Sequence, residues 1–176
     1  MKRIVSLALL STALFISASV KAQEDKSKRP SPPAMVTQKI KSGATISIDY
    51  SQPSLKGRTI GKDVEPKQGE LWRAGANEAT VFETNKDVKV EGKSLPAGKY
   101  ALFMMDNGND YTVIFNQIWK TWGAYDHDKN KAKDVLQVKV KPETASTSQE
   151  KLTYTIDESG KVSLLWGDRI ISFNVQ

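Results

Sequence analysis

Trp72, Arg73, Asn77 and Glu78 fall in one short run, Leu71-Trp72-Arg73-Ala74-Gly75-Ala76-Asn77-Glu78-Ala79-Thr80, just ahead of a strand-like segment. An ordinary connecting loop is satisfied by Gly, Asn, Asp and Ser. An indole, a guanidinium, a carboxamide and a carboxylate spaced by small residues therefore predict a fixed polar cluster. Two readings are open. In the structural one, which is preferred, Arg73 and Glu78 form a charge-assisted pair, Asn77 bonds loop backbone and Trp72 packs underneath. Gly75 and Ala76 are then small so that the chain turns tightly and returns Arg73 to Glu78. In the catalytic reading, the adjacent Asn and Glu match an arrangement found in some glycosidases: Glu78 serves as acid/base while Arg73 or Asn77 positions the sugar. That chemistry needs a second carboxylate at a defined separation, and Asp49 and Glu83 are the candidates.

Trp119, Trp122 and Tyr125 recur every third residue along a later segment. Exposed, they would stack on sugar rings; buried, they would plug one end of the core. The plug is preferred because Trp is usually largely buried. These three join Trp72, Arg73, Asn77 and Glu78 as binding candidates.

The other motifs mostly exclude chemistry. His127, the single histidine, lies in Tyr125-Asp126-His127-Asp128. No G-x-S-x-G elbow exists to present a serine to it, so it is expected to be a solvated loop residue. One His and no Cys cannot assemble a zinc site of the usual composition, and thiol nucleophiles are absent. Asp126-x-Asp128-x-Asn130 begins like a calcium loop, but Lys131 stands where Gly is required and Gln137 where a bidentate Glu is required. Gly57-Arg58-Thr59-Ile60-Gly61-Lys62-Asp63 is one residue short of a phosphate loop and carries Asp in place of the Mg²⁺-binding hydroxyl. No metal and no cofactor are expected.

The elements that must position these residues are strands. Ile46, Ile48 and Tyr50 alternate with polar neighbours, as do Leu136, Val138 and Val140, and Leu152, Tyr154 and Ile156. Such alternation fits half-buried antiparallel strands. About ten are predicted, at roughly 35–40, 44–50, 79–84, 87–91, 99–105, 111–117, 134–140, 151–156, 161–166 and 169–175. Tyr100–Met105 and Tyr111–Phe115 are apolar on both faces, as central strands are. Glu91-Gly92, Asn107-Gly108 and Gly167-Asp168 read as tight hairpins, and Thr144–Gln149 as a low-complexity connector. The best helical candidate is one turn near Gln117–Trp122, followed by a long irregular loop to Asp134. In Leu95-Pro96-Ala97-Gly98-Lys99-Tyr100, a Pro and a Gly precede a strand that opens with Tyr, a β-sandwich corner in which the phenol bonds back to the chain. The fold expected is all-β, an antiparallel β-sandwich with little helix.

At the N-terminus, Lys2 and Arg3 precede an apolar run from Ile4 to Val20, and Val20-Lys21-Ala22 supplies small residues for cleavage before Gln23. Residues 1–22 therefore read as a secretory signal peptide, 23–33 as a disordered or extended lead-in, and 34–176 as one β-sandwich domain. With Lys2, Arg3 and Lys21 removed, 23 of the 26 basic side chains remain against 20 acidic ones, a formal charge of +3. Charge spread in this way is no nucleic-acid footprint. Later segments are too polar to insert in a membrane. A soluble protein in the periplasm or outside the cell is expected.

The same residues carry a family resemblance. Ser31-Pro32-Pro33-Ala34, Ile48-Asp49-Tyr50-Ser51-x-Pro53-Ser54-x-Lys56-Gly57-Arg58, Trp72-Arg73-x-Gly75-Ala76-Asn77-Glu78-Ala79-Thr80, Leu95-Pro96-Ala97-Gly98-x-Tyr100-x-Leu102-Phe103 and Trp122-Gly123-Ala124-Tyr125 resemble a family of secreted Bacteroidota proteins, domain of unknown function 2911. The match spans nearly the whole chain after residue 22. It implies a secreted bacterial β-rich domain and transfers no catalytic residue. The expected role is a non-enzymatic binding module for a glycan or another envelope component. The alternative is a small hydrolase of a glycan-like substrate with Glu78 as acid/base.

Overall fold

Period-two alternation turns into strands whose apolar faces meet, and the computed structural model, which describes residues 25–176, is all-β. The segment expected as a signal peptide lies outside the described residues. The large sheet runs in the order β1 (Pro33–Lys39), β2 (Thr45–Ser51), β4 (Thr80–Thr84), β7 (Gly98–Asp106), β8 (Tyr111–Asn116), β9 (Asp134–Val140), with β3 (Leu71–Trp72) also paired to β7. All these pairings are antiparallel. A long ribbon of β10 (Pro142–Ile156) and β11 (Lys161–Asn174), and a short hairpin of β5 (Val88–Val90) and β6 (Lys93–Leu95), complete the set.

The inner face of the sheet carries Ile46, Ile48, Phe82, Tyr100, Leu102, Val113, Phe115 and Val138, all buried. They share one core with Leu152, Tyr154, Leu164, Trp166, Ile171 and Phe173 of the ribbon. The two layers are of unequal size, seven strands against two. Polar ties reinforce the contact. The Tyr50 hydroxyl accepts from the Tyr154 backbone N–H at 3.2 Å. Arg169 of β11 donates to Asp106 Oδ2 at 2.8 Å and to the Tyr111 hydroxyl at 2.5 Å. Burial pushes the Tyr111 hydroxyl up to about 12, against the pull of Arg169, so it stays protonated and donates to Asp106. The corner at Tyr100 forms as expected, its hydroxyl donating to the Pro96 carbonyl at 2.9 Å.

β7 and β8 are buried on both faces, in keeping with their sequences. On the outer face Ala101, Phe103 and Ile114 form a second, smaller cluster with Ala79, against which Leu71, Trp119 and Ala124 pack. Hence the 117–134 segment lies over the sheet.

Four sequence expectations are corrected. Gly167-Asp168 is no hairpin: β11 runs straight through it, and Gly167, at φ 61°, sits opposite Gln149 where the ribbon's register slips. Thr144–Gln149 is part of β10: its two ends pair with Arg169 and Gly167 across a register shift, and backbone pairing of this kind needs no apolar period. The helical turn falls at His127–Asn130 (α1), continued by a 3₁₀ turn to Lys133, and not at Gln117–Trp122. The described part of the lead-in takes a 3₁₀ turn at Lys26–Lys28, with Lys26 and Arg29 anchored by ion pairs described below.

Gly160 closes the β10–β11 ribbon at φ +94°, where a Cβ would lie 1.9 Å from the Val175 carbonyl oxygen. Gly160→Ala must therefore displace backbone that holds the C-terminal strand, through the Val175 N–H bond to the Gly160 carbonyl at 2.9 Å. We expect a loss of about 3 kcal/mol in urea unfolding. Gly57→Ala, also at positive φ but in open space, should cost about 1–2 kcal/mol. Equal midpoints for the two variants would contradict this account of the ribbon end.

Candidate functional site

The polar block occupies an unusual place in the sheet. Trp72 pairs with Met104 and Thr80 with Leu102, so only Phe103 separates the two partners on β7 while residues 73–79 intervene on the other side. β3 and β4 thus lie along the same side of β7, and the block is a large bulge between them. Bulges re-aim side chains and recur beside functional sites. Two residues take left-handed backbone here, Ala74 at φ 52° and Asn77 at φ 59°. Ala74 is held there because its carbonyl accepts from both Thr80 Oγ1 at 3.0 Å and the Tyr154 hydroxyl at 2.9 Å. Asn tolerates the conformation more readily. Gly75 is small because a Cβ would stand 2.8 Å from Thr80 Oγ1 and 3.2 Å from the Ser51 carbonyl oxygen. Trp72 packs beneath as expected: it is buried, stacks on Trp166 at 6.0 Å, and donates its indole N–H to the Gly75 carbonyl at 3.0 Å.

The expected Arg73–Glu78 pair does not form. Arg73 instead donates to the Asn77 carbonyl at 2.7 Å, and its guanidinium lies 5.5 Å from the centre of the Tyr125 ring. Asn77 donates to the Ser31 carbonyl at 2.9 Å. Glu78 points the other way, to Lys26 Nζ at 2.8 Å and Arg29 Nη1 at 2.9 and 3.1 Å. The reason is the turn itself: with Ala74 and Asn77 both left-handed, the bulge returns the Asn77 carbonyl to Arg73 and leaves Glu78 facing the lead-in. Burial raises the Glu78 carboxyl. Hydrogen bonds from Lys26, its own backbone and Arg29 outweigh that, and the net value falls to about 2.

Glu78 lines a cleft of about 500 Å³ on the outer face of the sheet. Asp49 lines it too, flanked by Met35 and Val81 across the strands. Trp119, Lys120 and Thr121 form another part of its wall, and Lys26 and Arg29 a further one. Burial raises the Asp49 pKa; Lys26 draws it down and Glu78 pushes it up again, for a net rise. Of the two acids named as possible partners for Glu78, Asp49 shares this cleft. Glu83 instead pairs with Lys99 at 3.0 Å.

The bulge and the aromatic segment are stitched together by backbone. Ala79 N–H donates to the Thr121 carbonyl at 3.1 Å, Gly123 N–H to the Asn77 carbonyl at 3.1 Å, and Glu78 bridges Trp122. The three aromatics then separate. Trp119 packs on the outer-face cluster as a plug, with Lys99 and Lys120 ammoniums 5.4 and 4.9 Å from its ring centre. Trp122 and Tyr125 are 53% and 74% exposed, which corrects the expectation that they too would plug the core. Arg29 stands 5.8 Å from the Trp122 ring. His127, expected to be solvated, is buried. It lies edge-on to Phe103 at 5.2 Å and meets Asp134 Oδ1 at 3.0 Å, an oxygen that also accepts from Asn116 at 2.7 Å. It fastens the aromatic segment to the sheet. Lys26, Arg29 and Lys120 had no signal in the sequence, since solvated lysines and arginines are common and only the fold brings these three to one place.

Because the folded pKa of Glu78, about 2, lies below its ordinary 4.5, its ion pairs contribute stability above pH 4.5 that is lost as pH falls towards 2. Glu78 is 39% exposed, so Glu78→Ala should cost about 1 kcal/mol or less at neutral pH. Arg29→Ala should raise the Glu78 carboxyl titration measured by carbon NMR, whereas Arg73→Ala should leave it in place. The reverse pattern would overturn this assignment of partners.

Among the described residues, no helix is long and apolar enough to cross a membrane, and no cluster of His, Cys, Asp and Glu is set to hold a metal ion. No curated protein and no solved structure matches the chain. Residues 31–175 match the family described as protein of unknown function (DUF2911), a span that takes in the bulge, the aromatic segment and both layers of strands. On that match the chain belongs to the DUF2911 family.

Proposed function

We propose that this chain is an exported, non-enzymatic binding module that holds a glycan or another envelope component in the outer-face cleft. The observation that carries the reading is the cleft itself, of about 500 Å³, with Asp49 and Lys120 in its lining. Trp122 stands beside it, more than half exposed and bridged to Glu78. An exposed indole offers an apolar face to a sugar ring, and nearby polar groups fix its hydroxyls. Asp49 makes no ion pair among the described residues, which leaves its oxygens open to such hydroxyls. The export half of the proposal rests on the sequence: residues 1–22 act as a signal peptide, cleaved before Gln23, and deliver the domain to the periplasm or beyond.

A second reading has one specific observation in its favour: two carboxyl groups with opposite pKa shifts line one cleft. Environments that separate a pair in this way assign acid and base. Glu78, held ionised by Lys26 and Arg29, cannot protonate a leaving group near neutral pH. In a hydrolase at this site Asp49 would be the acid and Glu78 the base.

Two measurements test these readings. A glycan-array screen of residues 23–176 should find ligands whose binding falls about tenfold in Trp122→Ala, with unfolding unchanged. Release of reducing sugar, abolished by Asp49→Asn, would replace the binding module with the hydrolase. For export, mass spectrometry of the protein recovered from its native cells should find an N-terminus at Gln23. A chain retaining residues 1–22 in the membrane fraction would contradict it.

A further inference from the structure

We propose, resting on the binding role above, that the ligand of the outer-face cleft is an acidic saccharide, a sugar bearing a carboxylate of the uronate kind, and that Lys120 supplies its counter-charge. The cations around the cleft differ in what they meet. Lys26 and Arg29 both pair with the carboxylate of Glu78. Lys99, whose ammonium lies over the Trp119 ring, is matched by Glu83 at 3.0 Å. Lys120 lines the cleft and makes no ion pair among the described residues; its ammonium rests 4.9 Å from the Trp119 ring centre. An aromatic face holds an ammonium weakly at an exposed site, so Lys120 is placed without being neutralised.

Lys120 therefore offers one positive charge to a ligand in the cleft. A single ammonium matches a monoanion. A phosphate monoester approaches two negative charges at neutral pH, and two resident carboxylates would repel it more strongly than a carboxylate. A neutral sugar would leave Lys120 uncompensated and gain nothing from it. Asp49 accepts ring hydroxyls, Trp119 gives the sugar an apolar wall, and Lys120 takes the carboxylate as a point charge on a flexible stem.

The test is calorimetric titration of residues 23–176 with a tetramer of galacturonic acid, the matching neutral galactose tetramer, and galactose 6-phosphate. The uronate tetramer should bind about tenfold more tightly than the neutral one, and about tenfold less tightly in Lys120→Gln. Lys120→Arg should retain binding, and raising salt from about 50 to 300 mM should weaken it. Lys120 is exposed, so unchanged unfolding midpoints are expected for both variants. If the neutral tetramer binds as well as the uronate and Lys120→Gln is silent, the acidic-ligand inference fails while the binding module stands. If neither tetramer binds, both fail for this class of ligand. Tighter binding of the sugar phosphate than of the uronate would overturn the monoanion assignment.

Discussion

β7 and β8 carry large side chains on both faces, and an apolar face left in water forfeits roughly 25 cal/mol for every Å². The inner face is covered by the β10–β11 ribbon. The outer face, with Ala101, Phe103 and Ile114, needs a second cover, and the segment between β8 and β9 provides it through Trp119 and Ala124. His127 and Asp134 pin that cover at its far end. Once the segment is fixed over the outer face, its near end borders the polar flank of the sheet where Asp49 lies. The cleft is thus a consequence of where the outer cover stops.

The bulge between β3 and β4 depends on the same covering. Its residues 77–79 pair by backbone with 121–123, and its carbonyl at Ala74 is bonded by Tyr154 from the opposite layer. It is therefore gripped from both faces of the sheet at once. That grip sustains left-handed backbone at Ala74 and Asn77, conformations that cost energy when unsupported. It also decides the electrostatics. Arg73 is satisfied by a carbonyl within the bulge, and Glu78, turned outward, recruits Lys26 and Arg29 from the chain preceding β1. A carboxylate held so far below its ordinary range is a fixed negative charge, and it organises two cations along one wall of the cleft.

Much of this was legible in the residues. Period-two alternation located the strand cores at β2, β9 and the second half of β10, because a one-residue slip would put every apolar side chain on the wrong face. The two-sided apolar runs marked β7 and β8 as central, and the Pro-Ala-Gly-Lys-Tyr corner named its own hydrogen bond, since both partners lie four residues apart. The block around Trp72 announced itself by composition. What local pattern misjudged was the β10–β11 ribbon: Thr144–Gln149 has no apolar period, and Gly167-Asp168 has the residues of a hairpin but the surroundings of a bulge.

By itself, then, the sequence determined an all-β chain, the identity of its central strands, and the presence of an unusual polar block, because each follows from side chains within a few positions of one another. Only the tertiary structure decided which charges meet. Glu78 stands 49 residues from Arg29 and five from Arg73, yet it pairs with the distant one, since backbone conformation in the bulge sets the direction of the side chain and proximity in sequence does not. The same holds for Asp49 on β2 and the neighbouring Trp119 and Lys120 on the segment after β8, which are far apart in sequence. Burial of an apolar sheet face, a property of the whole fold, brought them to one cleft.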